Sequence, residues 1–179
     1  MNTKKRNKLI VLFTFLVCVL SLIFIGLFFK DHYYMITIFS MIMAATTFFT
    51  TYYDTHFNKV VKQMLIVISI AFVLGALLGV WLKGKINVGT YCIIFGTIEI
   101  LSGAAKIVET IDLIKNKNKI GFAFLCDAII EVVLGVLMII EKDETLVLHI
   151  NLIAADKIYE CAIKLINMEI HERKNKETA

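Results

Sequence analysis

The chain contains no proline in its 179 residues. Proline kinks and proline-rich linkers are thereby excluded, and any break in a helix has to come from glycine or from charge. Arginine is almost missing as well, with only Arg6 and Arg173, so lysine supplies the positive charge. Together with abundant Ile and Asn, this usage is of the kind found in AT-rich bacterial genomes. The four cysteines (Cys18, Cys92, Cys126 and Cys161) each fall in an apolar stretch, and no C-x-x-C spacing occurs. Buried thiols of this sort behave as small hydrophobes, and they are read as free and structural, without a metal or redox role. No H-E-x-x-H, G-x-S-x-G, G-x-x-x-x-G-K-[ST] or G-x-G-x-x-G is present, so no enzyme, cofactor or metal site is expected.

Apolar residues fill the chain instead. They make up 59% of it, against about 45–50% in soluble domains, and the mean hydropathy is +0.79. Runs of about 20 apolar residues cross a bilayer as helices. Six such runs stand out, at 9–29, 33–53, 64–82, 86–108, 120–140 and 145–166. The fold class expected is an all-α membrane protein: one membrane domain over 1–179, with six transmembrane helices and a basic tail at 167–179. The start, "MNTKKRNK" before "LIVLFTFLVCVLSLIFIGLFF", imitates a signal peptide. Its apolar part is too long and no A-x-A site follows, so it reads as a retained first span.

Lysine placement orients the spans. Lys4, Lys5, Arg6 and Lys8 precede the first run, Lys59 and Lys62 follow the second, Lys115, Lys117 and Lys119 follow the fourth, and Arg173, Lys174 and Lys176 lie in the tail. The short turns "KDH", "KGK" and "EKDE" hold only Lys30, Lys83, Lys85 and Lys142. The positive-inside rule places both termini in the cytoplasm. Tyr33, Tyr34 and Trp81 then fall at the outer interface, and Tyr52 and Tyr53 at the inner one.

Short outer turns and longer inner loops make three helical hairpins in tandem, at about 9–53, 64–108 and 120–166. "VLG" at 73–75 recurs at 133–135, with "VLS" at 19–21 in the corresponding place. With "VLGALLGVWL", "IIFGTIEILSGAAKI", "VLGVLMII" and "LIAADKIYECAIKL", nearly the whole chain resembles the HdeD-like family of bacterial acid-resistance membrane proteins. The resemblance implies a small non-enzymatic protein of the bacterial cytoplasmic membrane, linked to acid or membrane stress. It brings no catalytic residues. Two departures from the family pattern are the missing proline in the outer turns and Asp156-Lys157, where a glycine would follow the acid.

The last three spans carry charge in a helical pattern. Positions i, i+3, i+4 and i+7 share a face. Glu99, Ser102, Gly103 and Lys106 line up on the fourth span; Asp127 and Glu131 do so on the fifth; His149, Asp156, Glu160 and Lys164 do so on the sixth, with Lys157 beside them. Glu99, Glu131 and Asp156 fall near mid-membrane, Asp127, Lys157 and Glu160 about a turn deeper toward the cytoplasm, His149 toward the outer side, and Lys106 and Lys164 toward the inner interface, so the three helices are expected to share one polar interior. A central acid costs roughly 2.5–3.5 kcal/mol on insertion scales. The sixth span is therefore expected to insert only as a hairpin with the fifth; the alternative is an amphipathic helix lying in the interface. Acids outnumber lysines in this set, which predicts one or two protonated carboxyls at neutral pH, most readily within Asp127/Glu131.

The bland reading of the cluster is interhelical glue. The sharp one is a proton or small-cation path using Asp127, Glu131, Asp156 and Glu160, since ionisable groups inside membranes mark such paths. Gly75 and Gly79 form G-x-x-x-G, a spacing that lets helices approach closely. Packing within the bundle is the first use of that face, with homo-oligomerisation or docking of a membrane-protein partner as the alternative, which would make the chain a helper subunit. The threonines of "TTFFTT" at 46–51 are expected to bond their own helix carbonyls. The basic segments suit orientation and anionic lipid. The bilayer is the expected partner, and nucleic acid is not.

Overall fold

The structure, a computed structural model, describes residues 6, 8–14, 16–17, 19–20, 32–53, 58–81, 85, 87–115, 120–141 and 146–177. These fold into helices, with no strand among the described residues. A short described stretch α1 (residues 8–14) is followed by α2 (His32–Tyr53), α3 (Lys59–Trp81), α4 (Val88–Lys115), α5 (Gly121–Ile140) and α6 (Leu146–Glu177). Three are long and apolar enough to cross a membrane: α3 over Lys59–Leu78, all of α4 and all of α5. The apolar part of α2, Thr37–Phe49, is shorter, and α6 carries too much charge to qualify on composition. The rest of the expected first span lies outside the described residues.

Two helices start on asparagine. The Asn58 Oδ1 accepts the Val60 N–H at 3.1 Å, and its carbonyl accepts the Lys62 N–H at 2.9 Å. At the head of α4, the Asn87 Oδ1 takes both the N–H and the hydroxyl of Thr90, at 2.8 and 2.7 Å. Each bond satisfies a backbone donor that a helix start leaves open. α4 and α6 run past the expected ends at 108 and 166. Apolarity marks the bilayer core, whereas Lys, Glu and Ile continue a helix readily beyond it.

Facing pairs give the topology. Gly96 meets Gly135, Gly103 meets Ala128 and Gly121 meets Ile114, so α4 and α5 are antiparallel. The Tyr91 hydroxyl donates to the Leu78 carbonyl at 3.2 Å, and Phe95 stacks on Phe72, so α3 and α4 are antiparallel too. Lys8 pairs with Glu169 at 2.6 Å. The end of the bundle that holds Lys8, Lys59 and Lys115 is called the basic end below.

Glycine sets the tightest contact. A Cβ on Gly96 would sit 2.5 Å from the Gly135 carbonyl oxygen, one on Gly135 2.6 Å from that of Gly96, and one on Gly103 2.8 Å from that of Ala128. The backbones of α4 and α5 touch because these positions lack side chains. Of the expected packing residues, Gly103 and the buried Ser102 lie on this seam, and Gly75 seats the ring of Phe95. The surroundings of Gly79 lie outside the described residues. Gly96 and Gly135 were not singled out in the sequence.

The outside of the bundle is apolar. Val67, Leu74, Leu77, Phe122 and Ile140 are exposed, while the interior holds nineteen buried polar or charged side chains among the described residues. In water this pattern would be unstable; facing lipid, it is the arrangement that satisfies both sides. Tyr34 and Trp81 are exposed at one end and Tyr52 at the other.

Candidate functional site

Three helices bring the charges together. α4 supplies Glu99, Ser102 and Lys106, α5 supplies Asp127 and Glu131, and α6 supplies Asp156, Lys157, Glu160 and Lys164; all are buried. The close α4–α5 approach made by Gly103 and Ala128 draws the Lys106 side chain across to both acids of α5. The parallel run of α4 and α6 puts Lys106 opposite Glu160.

Four of these residues form a ring. The Lys106 Nζ lies 2.6 Å from the Glu160 Oε2 and 3.0 Å from the Glu131 Oε2. The Lys157 Nζ donates to the Glu131 Oε1 and lies 3.5 Å from the Glu160 Oε2. Two lysines thus share two glutamates, and positive and negative groups alternate. The Ser102 hydroxyl donates to the Glu131 Oε1 at 3.0 Å, and Lys164 adds a third lysine, 2.8 Å from the Glu160 Oε1.

The remaining acids hang on the outside of the ring. Asp127 is 3.6 Å from the Lys106 Nζ through its Oδ2, and its Oδ1 has no hydrogen-bond partner. Asp156 is 3.8 Å from the Lys157 Nζ, and neither of its oxygens is hydrogen-bonded. Glu99 lies beside Lys157 and against the Glu131 carboxyl, and no other donor reaches either of its oxygens. Buried polar atoms without partners are rare and mark places where chemistry or strain is stored.

Eight of the nine sequence-selected residues therefore meet. His149 does not. It is buried two turns away on α6, with its Nε2 3.7 Å from the Glu141 Oε2 at the opposite end. It shares a helix face with Asp156, and its depth, expected from the sequence to lie toward the other end of the span, keeps it apart from the cluster. Sequence reasoning missed Glu109, Thr110 and Asn167, all buried. Glu109 accepts the Asn58 N–H at 3.0 Å. It lies one turn past Lys106, and that i+3 spacing was the available signal. No group of three or more His, Cys, Asp or Glu among the described residues suits a metal ion.

Two cavities flank the Lys106–Glu160 pair. The first is lined by Lys106, Glu109, Asp127, Glu160, Lys164 and Asn167, with Leu113, Phe124 and Met168 toward the basic end, and leaves about 30 Å³, room for a water or two. The second, about 10 Å³, is lined by Thr14, Thr46, Thr47 and Thr51 together with Lys106, Lys157, Glu160 and Cys161. Thr46 bonds the Met43 carbonyl at 3.1 Å, as expected, and also lines this cavity.

No protein family matches the chain, and no curated protein or solved structure is similar to it.

Proposed function

We propose that this chain is a six-span protein of a bacterial cytoplasmic membrane, HdeD-like and non-enzymatic, with both termini in the cytoplasm. Its role is protection against acid or membrane stress, exercised through protons held in the buried cluster. One observation carries this reading: inside three packed helices, the five acids of the cluster, Glu99, Asp127, Glu131, Asp156 and Glu160, stand with three buried lysines among the described residues, Lys106, Lys157 and Lys164. Leaving two uncompensated charges in a dry interior costs several kcal/mol each. Protons on two of the acids remove that cost, and their number then follows the acidity of the adjoining water.

Of the pair that the sequence favoured, Asp127 keeps a buried oxygen without a hydrogen bond. Glu131 is held between two lysines. Glu99, Asp127 and Asp156 all keep buried oxygens that no donor reaches and are the candidate holders. The orientation rests on lysine, with Lys59, Lys62 and Lys115 at one end against Lys85 at the other.

Acid survival of cells lacking the gene tests the reading. Complementation with the native chain is expected to restore survival. A folded Glu99→Gln/Asp156→Asn variant is expected not to. Full rescue by that variant would remove the cluster from the function, and an unaltered deletion strain would remove the acid role.

A second reading, proton or small-cation translocation, is favoured by the threonine-lined cavity beyond the Lys106–Glu160 pair. It requires flux in proteoliposomes that disappears in a folded Asp127→Asn/Glu131→Gln chain.

A further inference from the structure

The inward faces of α4, α5 and α6 change character at Glu99, Glu131 and Asp156. Toward the basic end they continue as Lys106, Glu109, Asp127, Glu160, Lys164 and Asn167, and a cavity lies among these residues. Toward the opposite end, α4 continues as Phe95, Cys92 and Tyr91, α5 as Leu134 and Met138, and α6 as Ile153 and Ile150. All seven are buried in one apolar core, and Met138, Ile150 and Ile153 are about 1% exposed. From Asp156 to His149 is two helical turns, about 10 Å. Asn151 is the polar residue between them, about 140° around the helix from Asp156, and its buried Oδ1 has no hydrogen-bond partner, so it links to no polar chain.

The cavity has one chemical peculiarity. Three carboxyls line it: Glu109, Asp127 and Glu160. Glu109 accepts from the backbone of Asn58, and Glu160 is held by lysines on both oxygens. Asp127, 1% exposed, keeps an Oδ1 without a hydrogen bond. The charged groups around it are Lys106 and Glu109 from α4 and Asp156, Lys157, Glu160 and Lys164 from α6.

We infer that this cavity is a one-sided water vestibule: protons reach the cluster from the basic end alone, Asp127 is the acid that receives them, and the apolar half of α4–α6 closes the other side. The vestibule gives the cluster of the proposed function its sidedness and rests on that reading for its purpose, though not for its geometry. Vestibule water hands its proton to the Asp127 Oδ1 and receives one from bulk water in return. Asp127, which lies within electrostatic reach of Asp156, passes its proton past Lys106 to the ionised Asp156 carboxylate and returns to a carboxylate itself, and the lysine–glutamate ring stays intact. A stress protein built this way reads acidity on one side of the membrane and leaks none across it.

Thiol labelling in sided proteoliposomes tests this. The probe is the silver ion, membrane-impermeant and small enough for a site that holds a water or two, read as protection of the thiol from later alkylation after unfolding; it is applied to the full chain with its native cysteines replaced and its folding checked by gel filtration. Asn167→Cys is expected to label from the basic side about tenfold or more faster than from the opposite side. Met138→Cys and Ile153→Cys are expected to label from neither. If Asn167→Cys fails to fold, Thr110→Cys, which alters the same cavity wall, replaces it. Labelling of Met138→Cys or Ile153→Cys from the opposite side overturns the closed half. A folded vestibule variant inert from both sides overturns the vestibule. For Asp127, the readout is deuterium exchange of the other cluster carboxyls after a basic-side D₂O jump. Asp127→Asn is expected to slow it several-fold, and unchanged exchange removes Asp127 from that role. Should acid survival show no dependence on Glu99 and Asp156 while labelling is one-sided, the proposed function fails and the vestibule stands.

Discussion

One set of three helices builds two unlike interiors. In the half of α4–α6 near the basic end, the inward positions are Lys106, Asp127, Glu131, Lys157 and Glu160, held by charge pairs of 2.6–3.6 Å. In the other half the same faces carry Phe95, Met138, Ile150 and Ile153, held by packing alone. A bilayer would ask a helix for length and apolar composition, and α4 and α5 meet that demand along their whole length. The inward face is free to differ. Its polar half persists only because each ring member has two partners, whereas its apolar half needs no matching of charge.

Removing a partner breaks the comparison most sharply. Glu131→Gln takes a carboxylate from both Lys106 and Lys157, and is expected to lower stability by roughly 3–5 kcal/mol in a detergent melt. In the apolar half, Ile153→Asn buries an amide without partners and is expected to cost about 1–3 kcal/mol. Equal losses at the two sites would mean that the ring is no more than ordinary packing. The seam common to both halves responds next. Gly96→Ala or Gly135→Ala sets a methyl within 2.6 Å of a backbone oxygen, and the forced separation of α4 from α5 is expected to cost about 1–3 kcal/mol by the same melt. Asp127→Asn keeps shape and leaves Lys106 with Glu131 and Glu160, so a loss of about 0.5–1.5 kcal/mol is expected. The smallest effect belongs to the half-exposed Lys8–Glu169 pair. Lys8→Ala is expected to cost about 0.2–1 kcal/mol, and less as salt is raised.

The polar half was legible because charge inside an apolar run is conspicuous, and its i, i+3, i+4 spacing fixed the face on each helix. Which lysine serves which acid was not legible. That depends on the depth at which helices cross, and the depth is set by glycines. The sequence drew attention to the four-residue spacing of Gly75 and Gly79, whereas the α4–α5 seam uses a seven-residue spacing, Gly96 to Gly103 against Ala128 to Gly135. His149 was grouped with the cluster for the same reason: periodicity gives direction around a helix and says nothing of neighbours. Glu109 and Asn167 were passed over because the apolar runs end near 108 and 166, while the helices go on.

Infrared spectroscopy of the native chain in lipid tests the central claim most directly, namely that protons balance the excess of buried carboxyls over lysines. At neutral pH a carbonyl stretch of protonated carboxyl groups is expected, shifting on exchange into D₂O and losing most of its intensity in Glu99→Gln/Asp127→Asn/Asp156→Asn. A folded native chain with no such band at neutral pH would show every cluster carboxyl ionised. That result would contradict the claim and assign the balancing charge to a bound cation.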